Sequence, residues 1–316
     1  NIFRDQMDRY GEFYTTYQKI LDGITLDPTA VVLANGDAPI FSSRKLPNPI
    51  YYYGFTLTNE GDHKAPPNTD GVLCPVCQHI LHYHALTYAN LGNFFCPNCG
   101  FKRPELTYQV NAVTKMTPQS SEFVIDGQPC HIDIGGMYNI YNALAAFAVG
   151  RTFDVSPEQI SQAFAYDEKV FGRQEVIQLG AKKLTLILVK NPVGLNQVLS
   201  MIQTAKQPFG FAMLLNANYA DGIDTSWIWD GNFEEFVASK KAADYLVGGE
   251  RYQDIALRLK VAGVPETKLT IKPDLGDVLT TLQEMPQQQL YVLATYTAML
   301  QLRKKLSDGG YIKGGF

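Results

Sequence analysis

Two short cysteine pairs constrain this 316-residue chain more than any other feature: C-P-V-C at Cys74 and Cys77, and C-P-N-C-G at Cys96 and Cys99. Each CxxC turn lets two thiolates converge on one ion, and paired knuckles about 18 residues apart predict a four-cysteine zinc ribbon. Two disulfides in a secreted domain are the competing arrangement, and the knuckle spacing speaks for metal. Four thiolate ligands leave no open position for water, so the expected Zn²⁺ is structural. Zinc binding is worth on the order of 10 kcal/mol in small peptides, enough to fold a segment with little apolar core. Gly100 suits the tight turn after the last ligand. His79, His82 and His84 lie inside the ribbon. On a strand His82 and His84 would share a face, and we expect exposed ribbon surface rather than further ligands. The fifth cysteine, Cys130, adjoins His131. Neighbours on a strand point to opposite faces, so a catalytic Cys–His pair is not expected there.

The remainder divides by pattern. Residues 1 to about 66 mix a helical stretch, "EFYTTYQKILDGI", with the strand-like runs "AVVLAN" and "IYYYGFTL". The ribbon occupies about 67–106. Strand-like runs return in "ELTYQVNAVTK", "EFVIDG" and "PCHIDI", followed by the small-residue helix "YNIYNALAAFAVG". From about 175, "LTLILV", "GFAMLLNA", "DYLVGG" and "LYVLATYT" alternate with helical runs, which predicts βαβ units around a largely parallel sheet. The net charge of −4 argues against nucleic-acid binding. No apolar run reaches the roughly 18 residues of a membrane span. There is no starting Met and no signal peptide, and the chain is expected to be the later part of a longer protein.

The stretch "NANYADGIDTSWIWDGNFEEF" holds both tryptophans, Trp227 and Trp229, beside Asp221, Asp224 and Asp230. It follows the run "GFAMLL", and ligands in parallel sheets sit at the carboxyl ends of strands. Tryptophan is a frequent interface anchor, so a partner-facing loop is one expectation. The other is that Asp224, Thr225 and Ser226 cap a helix starting at Trp227, with the rings in the core. Asp230 is positioned to cap "NFEEFVAS".

Four motifs, in order, resemble the Mur ligase family. "NIFRDQMDRYG" resembles the N-x-x-x-D-H-[LM]-D-x-x-G segment of its central domain, and "VVLANGDAPI" the strand and turn that follow. "GGMYNIYNALAAFAVG" resembles the G-x-x-N-x-x-N-x-x-A-A helix, and "VFGRQEVI" the G-R-x-E junction to the C-terminal domain. "LVKNPVGLNQVL" then resembles the family's strand, H-N-P and helix. The resemblance implies an α/β chain: a partial Mur ligase central domain over 1–172 with the ribbon inserted, then a Rossmann-like C-terminal domain over 175–316. An inserted four-cysteine ribbon, with "NANYADGIDTSWIWD" and "GFKRPEL", is similar to the amidating members that act on lipid II.

The resemblance implies the following activity. ATP, with Mg²⁺, phosphorylates the α-carboxylate of D-glutamate in the lipid II stem peptide, and ammonia attacks the acyl phosphate to give D-isoglutamine. The ammonia comes from a GatD-like glutaminase partner in a heterodimer, in the cytoplasm at the inner face of the bacterial membrane. Asn139 and Asn142, at i and i+3 on the helix, and Arg173 at the junction would serve ATP; helix capping near Gly135 competes for Asn139, and an interdomain ion pair for Arg173. Lys190 and Asn191 would meet the acidic substrate, with a solvent-facing lysine as the bland reading of Lys190. Asp221 or Asp224 would lend a carboxylate to the glutaminase Cys–His pair. Three departures stand. The GxxGK[ST] loop is not among these residues, Gln6 replaces the family's histidine, and Lys19 is not clearly at the position of its modified lysine. A ligase adding an amino acid to a nucleotide-linked sugar peptide, and a non-catalytic zinc-ribbon interaction protein, are the alternatives.

Overall fold

In the computed structural model, residues 2–56, 61–66, 70–165 and 174–312 are described. The chain divides into two compact units, Asn1–Arg4 with Tyr10–Asp167, and Asp5–Arg9 with Glu168–Phe316. In chain order the first strands are β1 (Val32–Asn35), β2 (Ile50–Phe55), β3 (His63–Lys64), β4 (His82–Tyr88), β5 (Leu91–Phe95), β6 (Tyr108–Met116), β7 (Ser121–Ile125) and β8 (Gln128–Ile132). The helices are α1 (Met7–Tyr10), α2 (Phe13–Thr25), α3 (Met137–Thr152) and α4 (Pro157–Phe164).

The main sheet of the first unit runs β1-β2-β6-β7-β8. β1, β2 and β6 are parallel, and β6, β7 and β8 form an antiparallel meander. Its core buries Phe55, Val110, Phe123 and Ile125 from the sheet and Ile140, Leu144, Phe147 and Ala148 from α3. That helix is rich in small residues, which lets it lie close to the strands, and Ala is the strongest helix former. α4 begins with Ser156, whose hydroxyl accepts from the Gln159 N–H while the Gln159 side chain returns to the Ser156 N–H, a full capping box before Pro157. The ribbon departs between β2 and β6 and carries its own antiparallel sheet, β3-β4-β5.

The second unit contains β9 (Glu175–Leu179), β10 (Lys182–Leu188), β11 (Phe209–Leu214), β12 (Ala242–Gly248), β13 (Leu269–Ile271) and β14 (Gln289–Ala294). Its helices are α5 (Pro192–Gln203), α6 (Phe233–Ala238), α7 (Tyr252–Val261), α8 (Leu275–Glu284) and α9 (Tyr296–Asp308). The strand order is β13-β12-β11-β14-β10-β9, parallel except for the edge strand β9. Alternate residues of β11 feed opposite faces. Phe209, Phe211 and Met213 pack with α5, α6 and α7, while Ala212 and Leu214 pack with α8 and α9. Both faces are covered, which explains the continuous apolar runs in the sequence. β14 returns between β10 and β11, and the helix after it lies on the opposite face from the helix after β11. The carboxyl ends of β11 and β14 therefore flank a topological switch, where ligands sit in open α/β sheets.

Candidate functional site

Three groups of residues carry the chemistry expected from the sequence: the cysteine cluster, the start of α3, and the loops at the carboxyl ends of β10 and β11.

The cysteines come together. The Sγ atoms of Cys74, Cys77, Cys96 and Cys99 all lie within 4.8 Å of one another. Cys74 and Cys99 are 3.7 Å apart and Cys77 and Cys96 3.5 Å. A tetrahedral ion with ligand bonds of about 2.3 Å spaces its sulfurs by roughly 3.8 Å, whereas a disulfide holds them at about 2.05 Å. The separations fit a shared metal, and all four cysteines are free. Each knuckle closes the same way. Gln78 N–H donates to Cys74 O at 2.9 Å and Gly100 N–H to Cys96 O at 3.1 Å. Both residues have positive φ, 60° and 73°, so the conformation is cheap only at Gly100. His82 and His84 flank Phe95 on one face: His84 stacks on its ring at 4.3 Å, and His82 pairs with Asp62. No histidine joins the cysteines among the described residues. Cys130 is buried and His131 exposed on β8, with His131 paired instead to Asp133, so the two lie on opposite faces.

At the start of α3 the two asparagines separate. Asn139 is buried, and its side-chain amide donates to Gly135 O at 2.7 Å, securing the entry to the helix. Asn142 is exposed. Arg173 lies outside the described residues.

Lys190 and Asn191 lie in the short connection between β10 and α5. Lys190 Nζ forms an ion pair with Asp5 at 2.9 Å, with 46% of the lysine side chain exposed. Asn191 is the N-cap of α5: its Oδ1 accepts from Gly194 N–H at 2.7 Å, and Pro192 follows as the first helical residue.

The loop after β11 distinguishes its acids. Asp221 is buried; Oδ1 accepts from Thr297 N–H at 2.7 Å, and Oδ2 accepts from Thr297 Oγ1 at 2.5 Å and Asn218 N–H at 3.0 Å. It ties the loop to the first turn of α9. Asp224 is exposed, and its Oδ1 accepts from Ser226 N–H at 2.8 Å. A short 3-10 helix, Ser226–Asp230, follows. Trp227 packs against the core, whereas Trp229 is 48% exposed. Asp230 does not cap α6. The N-cap there is Asn232, without a side-chain bond, because the chain stays in the 3-10 turn through Asp230.

Several residues that organise these loops were not anticipated. Arg258 is buried and donates to Ile228 O, Gly231 O and both oxygens of Glu234, with its guanidinium 5.4 Å from the Trp229 ring. Hydrogen bonding from Arg258 holds the Glu234 carboxyl below its usual range. Asn216 is buried at the end of β11. Its amide donates to Thr297 and Gln301, and its Oδ1 accepts from Glu250 N–H. In the first unit Asp37, within "VVLANGDAPI", is wholly buried among donors. A polar residue directly after an apolar strand is the only sequence signal for Asn216 or Asp37.

The chain is 51% identical over 98% of its length to the MurT subunit of the glutamine-hydrolysing lipid II isoglutaminyl synthase of Streptococcus pneumoniae, and covers 69% of that protein. The chain belongs to the MurT family. The MurT subunit of Staphylococcus aureus is 30% identical over 98% of the chain, with 70% of its own length covered. Residues 188–299 match the model of the MurT ligase C-terminal family. A pseudomurein peptide ligase type C from Methanothermus fervidus shares the fold, with a TM-score of 0.69 at 18% identity over 98% of this chain and 62% of that one. The chain thus shares its α/β architecture with that ligase. No helix among its described residues is long and apolar enough to cross a membrane.

Proposed function

We propose that the chain provides the synthetase part of a lipid II-amidating enzyme. ATP, with Mg²⁺, phosphorylates the α-carboxylate of D-glutamate in the lipid II stem peptide; ammonia displaces the phosphate and D-isoglutamine results. The observation that carries the reading is the 51% identity to a MurT subunit along 98% of the chain. A carboxylate is a poor acyl donor, because oxide is a poor leaving group, and phosphorylation supplies a better one. What the protein then contributes is positioning and neutralisation of phosphate charge. We assign Asn142 and Arg173 to the nucleotide and Lys190 to the acidic substrate. Asn139 supports that helix from within, and Asn191 shapes the loop beside Lys190 as the cap of α5. The four cysteines hold a structural Zn²⁺, supported by their tetrahedral spacing.

Ammonia is supplied by a GatD-like glutaminase in a heterodimer, at the cytoplasmic face of the membrane where lipid II is made. The loop carrying Asp221, Asp224 and the tryptophans docks this partner and lends it an acid. Exposure supports Asp224 as that acid. Asp221, held by three hydrogen bonds, supports the loop's shape. Exposed Tyr219, Ile223 and Trp229 suit an interface. The test uses the assembled complex of the full-length protein with Asp224→Asn and Asp221→Asn, each assayed with glutamine and with free ammonia. We expect Asp224→Asn to lose glutamine-driven amidation and keep ammonia-driven amidation. Full glutamine-driven activity in both variants rules out an acid from this loop.

A further inference from the structure

Asp37 is 0% exposed, and no step of the proposed reaction uses it. Its Oδ1 accepts from Arg103 Nη1 at 2.9 Å; its Oδ2 accepts from Phe55 N–H and from the Tyr141 hydroxyl, each at 2.7 Å. Its backbone oxygen accepts from Gly92 N–H at 3.0 Å. The site is built tightly around the carboxylate: a Cβ on Gly54 would fall 2.6 Å from Oδ1. Burial, reinforced by the Asp37 charge, pushes the Tyr141 phenol well up, so it stays protonated and donates.

These partners come from two places. Arg103 and Gly92 belong to the ribbon, and so does Thr87, whose Oγ1 lies 2.7 Å from the Tyr141 hydroxyl. Arg103 stands four residues beyond Cys99, and its N–H donates to Phe94 O at 3.0 Å, two residues before Cys96. The knuckle that presents Arg103 is therefore the one that two metal ligands close. Tyr141 belongs to α3, one residue before Asn142. The first turns of α3 are thus fixed twice, by Asn139 on Gly135 and by Tyr141 on Asp37.

We propose that Asp37, acting through Tyr141, is a positioning residue that couples the metal-loaded ribbon to α3, so that metal in the ribbon strengthens nucleotide binding. The inference rests on the assignment of α3 to the nucleotide. With the ribbon folded, Arg103 neutralises the carboxylate and the Tyr141 hydroxyl has a fixed acceptor. With the knuckles open, Arg103, Gly92 and Thr87 are withdrawn together. A buried carboxylate stripped of its cation is strongly unfavourable, so the group must rearrange or take up a proton, and one of the two side-chain hydrogen bonds that fix the first turns of α3 is weakened or lost. Two sites joined in this way share a coupling free energy, typically 5–150-fold in affinity.

The experiment uses the full-length protein, loaded with zinc or stripped by a high-affinity chelator, with two readouts: ADP affinity and amide hydrogen exchange over Met137–Thr152. In the wild type, stripping should weaken ADP binding at least about 5-fold and speed exchange in α3. Tyr141→Phe keeps its ring against Phe55 and Tyr88 and removes only the hydroxyl. It should bind ADP weakly even with zinc, and stripping should add nothing further. Arg103→Gln should behave alike. A Tyr141→Phe protein that retains the full effect of zinc overturns the proposal. If exchange in α3 responds to zinc and ADP affinity does not, the proposal falls because the nucleotide assignment of α3 has failed. If neither responds, it falls because the coupling is absent.

Discussion

Where the C-terminal unit buries two apolar layers, the ribbon has one small cluster of Ala65, Leu81, Tyr83 and Phe94 beside Cys74 and Cys96. One region is held by packed side chains drawn from six strands and five helices. The other is a small sheet beside which four cysteine sulfurs lie within 4.8 Å of one another. The comparison teaches that two regions of this chain are stabilised by different means. Removing metal should act on the ribbon, and removing apolar volume on the C-terminal unit, with little exchange between the two effects.

The largest expected effect is on the metal. Stripping zinc, or Cys96→Ser, removes a binding energy on the order of 10 kcal/mol. Hydrogen exchange should then show β3, β4 and β5 unprotected while β11, β12 and β14 keep their protection. Loss of protection in all six would break the comparison. Next is Phe211→Ala. The ring is fully buried, 4.8 Å from Phe236 and 5.8 Å from Tyr245. Its loss should cost about 3–5 kcal/mol in denaturant unfolding of the C-terminal unit, with bound zinc unchanged. The smallest is Asn191→Ala, which removes the cap of α5 and should cost about 1 kcal/mol. A much larger loss of amidation than of stability would show that Asn191 also touches the substrate.

The two regions were also legible in different ways. The ribbon was readable from spacing alone, since CxxC turns are local and their geometry follows from chemistry. The C-terminal sheet was readable from alternation: "LTLILV", "GFAMLLNA", "DYLVGG" and "LYVLATYT" fall on β10, β11, β12 and β14. β9 and β13 escaped notice because an edge strand need not be apolar on both faces; Val176 and Ile271 are exposed. Within the candidate site, residue type was a weaker guide. Asn139 and Asn191 carry amides that suit a ligand, yet both bond to their own helix starts. Asp221 and Asp224 sit three residues apart in one motif, and the distant Thr297 bonds Asp221 through both its N–H and its hydroxyl. Asp37 and Arg258 were unreadable for the same reason: Asp37 meets Tyr141 from 104 residues away, and Arg258 meets Gly231 from 27. Such partners are brought together by the fold, and nothing in the local sequence announces them.

The central claim is that this chain takes part in amidation of a carboxylate rather than addition of an amino acid. The direct measurement is product analysis by mass spectrometry. The full-length protein and the proposed glutaminase partner are given lipid II, ATP, Mg²⁺ and glutamine labelled at its side-chain amide. The account predicts one labelled nitrogen on the D-glutamate α-carboxylate for each ADP released. Incorporation of a whole amino acid, or ADP release with unchanged lipid II, would contradict it.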